Sequence, residues 1–127
     1  MRLVIVRHAE AAPGSPDELR PLTAEGRTQA RALGRRLRDE LGAADAVLSS
    51  PLLRARETAV ALGLGAPEAD GRLGPGADAE AVREAVRDRG ETVVVVGHQP
   101  DCGRIAAALG DGTEPAFPPA GACVVEL

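Results

Sequence analysis

The sequence contains no lysine, no tryptophan and no tyrosine, and its single phenylalanine is Phe117. Without lysine there is no Schiff-base chemistry, no P-loop lysine and no lysine general base, so any phosphate site must be built from arginine, which supplies all 15 cationic side chains. Without aromatic rings there is no platform on which nucleobases stack. The core must instead be packed from Val, Leu, Ile and Ala. The formal charge is -4, which argues against a nonspecific nucleic-acid or anionic-membrane surface while leaving room for a local basic pocket. Cys102 and Cys123 have neither metal-type nor redox-type spacing. No secretory leader or long apolar run is recognisable, so the expected setting is reduced and cytoplasmic. At 127 residues the expectation is a single domain, 1–127, acting as a monomer or weak dimer.

What is present alternates between two periodicities. Leu3 to Val6 is a short, wholly apolar run that reads as a buried central strand, with Arg7 and His8 at its carboxyl end. Ala11 to Pro21, rich in Pro, Gly, Ser and acid, reads as a loop, and Thr23 is placed to cap a helix. That helix carries Ala30, Leu33, Leu37 and Leu41 on one face and Arg31, Arg35, Arg38 and Glu40 largely on the other. Ala46 to Leu48 predicts a second strand, and Ser49-Ser50-Pro51 predicts the capped start of a helix running to about Leu62. The Gly- and Pro-rich stretch from Gly63 to Gly76 predicts loops with one weak strand. Asp78 then opens a helix with Ala81, Val82, Ala85 and Val86 inward. Thr92 to Val96 is the strongest strand signal and ends at Gly97-His98; a further helix after Pro100 and a closing strand over 122–125 complete the pattern. Strands alternating with helices predict an α/β fold, a three-layer α/β/α sandwich with a mostly parallel sheet.

Open sheets of this kind bind ligands beyond the carboxyl ends of their strands. Both histidines lie there, although 90 positions separate them in the chain. Arg54 falls in the first turn of the helix after the second strand, where unpaired amides and the helix dipole also favour an anion. Two guanidiniums, Arg7 and Arg54, one imidazole or imidazolium and a helix end converging on a small volume suit a phosphoryl group, because phosphoryl transfer is catalysed mainly by positioning and by balancing charge on the equatorial oxygens. A neutral His8 attacks phosphorus through one ring nitrogen if the other donates to a backbone carbonyl. Arg20 either reaches this pocket or anchors its own loop, and Gln99 has a backbone amide placed to meet a phosphate oxygen.

Arg7-His8-Ala9-Glu10, Pro21-Leu22-Thr23 with Gly26, Ser49-Ser50-Pro51 with Arg54-Ala55 and Thr58-Ala59, and Gly97-His98 together resemble the histidine phosphatase superfamily. Each motif is weak alone; their order across most of the chain makes the signal. The short length and Arg20-Pro21-Leu22-Thr23 are most similar to the SixA-type phosphohistidine phosphatase branch, which lacks the lid insertions of the phosphoglycerate mutases. The resemblance implies a phosphoglycerate mutase-like fold, a phosphatase without metal or other cofactor, and a pocket of Arg7, His8, Arg54 and His98 with His8 as nucleophile. It implies a phosphohistidine protein or a small phosphate ester as partner, with no nucleic acid and no membrane. Two departures stand out. Ala9 replaces the usual glycine after the nucleophile, and the acid residue that larger members use to protonate an alkoxide has no evident counterpart, with Asp78 and Glu80 as candidates. Imidazole depends less on such an acid than an alcohol does, which favours phosphohistidine.

Several other patterns carry less. Ser49 and Ser50 read as helix caps rather than nucleophiles. Cys102 reads as packing, and no ligand spacing supports a metal site. Gly74 to Ala79 formally fits a dinucleotide fingerprint but follows no apolar strand. The rival from a different class is a phospho-ligand binding module without turnover, against which both histidines stand intact.

Overall fold

A computed structural model describes residues 1–127. Five strands form one sheet: β1 (Arg2–Arg7), β2 (Ala46–Ser49), β3 (Pro67–Ala69), β4 (Thr92–Gly97) and β5 (Ala122–Glu126), in the order β3-β2-β4-β1-β5. All neighbours are parallel except β1 and β5. The two all-apolar runs occupy the centre, where both faces are covered and alternation is unnecessary. Leu3 to Val6 and Val93 to Val96 are fully or almost fully buried.

Helices α1 (Ala24–Leu41) and α2 (Leu53–Leu62) cover one face, and α3 (Ala79–Val86) and α4 (Asp101–Leu109) the other. The division is visible in the core. Val4, Val6, Val94 and Val96 pack with Leu33, Leu37, Ala55 and Leu62, whereas Leu3, Ile5, Val93 and Val95 pack with Val82, Val86, Ile105 and Leu109. Alternate strand residues therefore feed opposite layers, as the pleat requires.

Helix α1 starts where the sequence indicates: Thr23 Oγ1 accepts the Gly26 N–H at 2.9 Å. Asp78 likewise caps α3 by accepting from Ala81 N–H. The start of α2 differs from expectation. Its N-cap is Leu52, which makes no side-chain capping bond. Ser50 Oγ instead accepts the Leu52 N–H at 3.2 Å, one step before the helix, and is left facing the strand ends. Gly34 in α1 lies directly against the Leu62 carbonyl of α2, closer than any side chain would permit. No helix is long and apolar enough to cross a membrane.

Candidate active site

The sheet register assembles the site. Arg7 of β1 stands opposite Gly97 of β4, so the next residue of each strand is a histidine. The His8 N–H donates to the Gly97 carbonyl at 3.0 Å, and the two rings meet edge to face with centroids 5.2 Å apart and an interplanar angle of 61°. β2 flanks β4 on the other side. The Ser50 N–H donates to the Val96 carbonyl at 2.9 Å, which sets Ser50 Oγ 2.8 Å from His98 Nε2.

His8 Nδ1 lies 2.7 Å from the Ala9 carbonyl. A carbonyl only accepts, so Nδ1 carries the proton and Nε2 keeps its lone pair. The neighbouring backbone is fixed in turn: Ala9 N–H donates to Thr58 Oγ1 at 3.0 Å, and the Thr58 hydroxyl donates to the Arg54 carbonyl at 2.8 Å. Alanine serves after the histidine because its φ is ordinary. Its methyl group is fully buried against Leu22 and Ala30.

Burial lowers the His8 pKa from its usual 6.5; the hydrogen bond to Ala9 opposes the shift, and the charges of Arg54, Arg7 and Arg20 add to it. His98 is pushed down to about 4, again first by burial and then by His8 and Arg54, with Asp101 and Asp17 opposing. Both rings are therefore neutral at pH 7.

The cations are held in different ways. Arg7 Nη1 donates to the Phe117 carbonyl at 2.9 Å, while its Nε–H is buried without any acceptor. An orphaned charged donor is costly, and an oxyanion would satisfy it. Arg54 is buried; Nη1 donates to the Asp17 carbonyl at 2.9 Å and Nη2 to Asp17 Oδ2 at 3.1 Å. Arg20 anchors its loop, with Nε on the Ala12 carbonyl at 2.8 Å and Nη1 on Asp17 Oδ1 at 3.1 Å, and its charge is still felt at His8.

Gln99 follows His98, but its side chain is committed to α4: Oε1 accepts the Gly103 N–H at 2.9 Å. Asp78 and Glu80 are exposed and line a groove between α3 and α4 with Asp101 and Arg104, apart from His8. The carboxylate that does stand among the site's arginines is Asp17, which composition and periodicity did not single out. Ser50 was likewise missed as a partner of His98. Cys102 is buried, its thiol pushed up to about 12 by burial, with Sγ 3.7 Å from the Val6 carbonyl.

The space lined by His98, Leu73 and Ile105 measures about 20 Å³. A groove of about 580 Å³ between α1 and α2, lined by Arg27, Arg31 and Arg56 among others, contains neither histidine.

His8 and His98 thus meet at the carboxyl rim of this sheet, within electrostatic reach of Arg54, Arg7 and Arg20. The sequence model of the histidine phosphatase superfamily (branch 1) matches residues 3–73, and the chain belongs to that superfamily, whose members are phosphatase hydrolases. Within it, the likeness is to the SixA-type branch. The solved structure of the protein histidine phosphatase SixA complexed with tungstate superposes with a TM-score of 0.90 at 30% identity, over 100% of this chain and 88% of that one. An uncharacterized protein of Mycobacterium tuberculosis (strain H37Rv) is 35% identical over 137 residues, spanning 96% of this chain and 87% of the relative. One from Picosynechococcus sp. is 38% identical over 126 residues, spanning 88% of this chain and 74% of the relative.

Proposed function

We propose that this chain is a metal-independent phosphatase of phosphohistidine carried on a protein, with His8 as nucleophile and Arg7, Arg54 and His98 as the oxyanion pocket. The observation that carries the reading is the His8 Nδ1 contact to the Ala9 carbonyl, which leaves Nε2 unprotonated on a ring that feels the charges of Arg54 and Arg7. Nε2 forms a bond to phosphorus as the P–N bond of the substrate breaks. The departing imidazole takes that electron pair and, already protonated on its other nitrogen, leaves neutral. Water then adds to phosphorus, the P–Nε2 bond breaks, and a water proton passes to the released phosphate.

Arg7 supplies its unpartnered Nε–H to one phosphoryl oxygen. Arg54, braced by Asp17, supplies its remaining N–H groups. In this reading the Ser50 hydroxyl, which accepts the Leu52 N–H, donates its proton to His98 Nε2 across the 2.8 Å contact, and Nδ1–H of that ring donates to the phosphoryl group. Gln99 contributes its main-chain amide. The protein histidine phosphatase SixA is known complexed with tungstate, which supports an oxyanion as a ligand of this fold. A site at an open sheet rim accommodates a side chain presented by another protein more readily than it encloses a metabolite.

The test is transfer of labelled phosphoryl from a phosphohistidine carrier protein in the presence of a chelator. A base-stable, acid-labile label on this chain that is lost in the His8→Ala variant supports the reading. Label retained by His8→Ala overturns the nucleophile. Phosphate release from small esters but never from the carrier moves the enzyme to the phosphomonoesterases.

A further inference from the structure

The loop after β1 puts a single carboxylate among the site's cations. Asp17 Oδ2 is 3.1 Å from Arg54 Nη2 and Oδ1 is 3.1 Å from Arg20 Nη1. The Asp17 side chain is 62% exposed whereas that of Arg54 is 9% exposed, so the carboxylate lies at the mouth and the guanidinium at the floor. Its two arginine partners, Arg20 first, hold Asp17 below the usual carboxylate range, so it is charged wherever His8 is neutral.

Arg7, Arg20 and Arg54 contribute three positive charges while both imidazoles are neutral; Asp17 removes one, and the field of Asp101 also reaches His98. Once a phosphoryl dianion is bound, no positive charge is left over for a second acidic group. A substrate carboxylate approaching from the solvent side would meet the exposed Asp17 and arginines already engaged by it.

We propose that Asp17 is a specificity-determining residue, a charge filter that rejects phosphate compounds bearing a carboxylate next to the phosphoryl group and admits those with a neutral or cationic leaving group. This rests on the phosphatase reading of the site. The contact of two like unit charges at a partly screened mouth is worth roughly a factor of ten in rate or affinity.

Phosphoserine and O-phosphoethanolamine differ by one carboxylate and isolate the effect. The wild-type chain is expected to prefer O-phosphoethanolamine in kcat/KM by roughly tenfold beyond the ratio shown by Asp17→Asn, which keeps the side-chain shape without its charge. Asp17→Glu is expected to retain the preference. Equal ratios in wild type and Asp17→Asn overturn the proposal, as does an Asp17→Asn variant slowed equally on both compounds, because that pattern means Asp17 only props the arginines. If the esters turn over too slowly, the same ratio is read from their Kd values on the His8→Ala chain, with the same two outcomes. A ratio that collapses in Asp17→Asn while phosphohistidine carriers remain untouched keeps the filter and removes the phosphohistidine assignment.

Discussion

The two histidines carry the pH behaviour. A nucleophilic imidazole must be neutral, and burial, joined by the nearby cations, lowers the His8 pKa, so the acid limb of kcat/KM is expected below pH 6.5, with a plateau through neutrality. Arg54→Ala removes one of those cations and shifts the limb upward toward 6.5, besides lowering the rate by the loss of a charged hydrogen bond; a pH–rate profile on a small phosphate checks both. An unmoved limb would separate Arg54 from His8. Stability follows the same protons. Between pH 6.5 and about 4 the unfolded chain protonates His98 while the folded chain resists, so the folded state binds fewer protons and loses stability as pH falls through that window. His98→Asn is expected to flatten this part of a urea-stability profile against pH. The site residues were legible because four cationic or nucleophilic side chains fall at strand ends or a helix start. Asp17 was not, since a polar loop has no periodicity and its reach to Arg54 depends on how the chain returns from β1.

Between residues and sheet stand the contacts that lock elements together. Thr58 of α2 accepts the amide of Ala9, next to the nucleophile, across the α2–β1 boundary. Thr58→Val keeps the shape and strands a buried N–H, so it is expected to cost about 1–3 kcal/mol in urea unfolding and to lower kcat, while Thr58→Ser keeps both. Gly34 plays the corresponding part between α1 and α2. A methyl group there runs into the Leu62 carbonyl, and backbone yields poorly. Gly34→Ala is expected to destabilise by about 1–3 kcal/mol while leaving the turnover of the folded fraction intact, a split that equilibrium unfolding and active-site titration resolve. The elements themselves were readable because fully buried parallel strands require unbroken apolar runs and sheet-covering helices require a stripe. The start of α2 misled for a physical reason: serine before proline has good capping chemistry, yet the β2–β4 register delivers Ser50 to His98 before the helix begins.

For the molecule as a whole, the oxyanion of the proposed site would add a tie among Arg7 on β1 with its bond to the Phe117 carbonyl, Arg54 on α2, and His98 after β4. Orthovanadate is accordingly expected to raise Tm by several degrees at concentrations well above its Kd, and to do so less in Arg7→Ala, as thermal scans would report. A chain whose Tm ignores vanadate would lack the assembled pocket.

The pairing of β1 with β4, residue 7 against residue 97, also sets when in the life of the chain this pocket exists. Closing a contact of that sequence separation is slow compared with forming any single helix, because the chain between must be gathered first. The helices and the β2–β3 edge have short-range routes to structure; the pairing of His8 with His98 does not. During refolding from urea, phosphatase activity is therefore expected to return with closure of the central strands and never with the earlier helical signal. A nascent chain still lacking β4 carries His8 without its partner and remains inert.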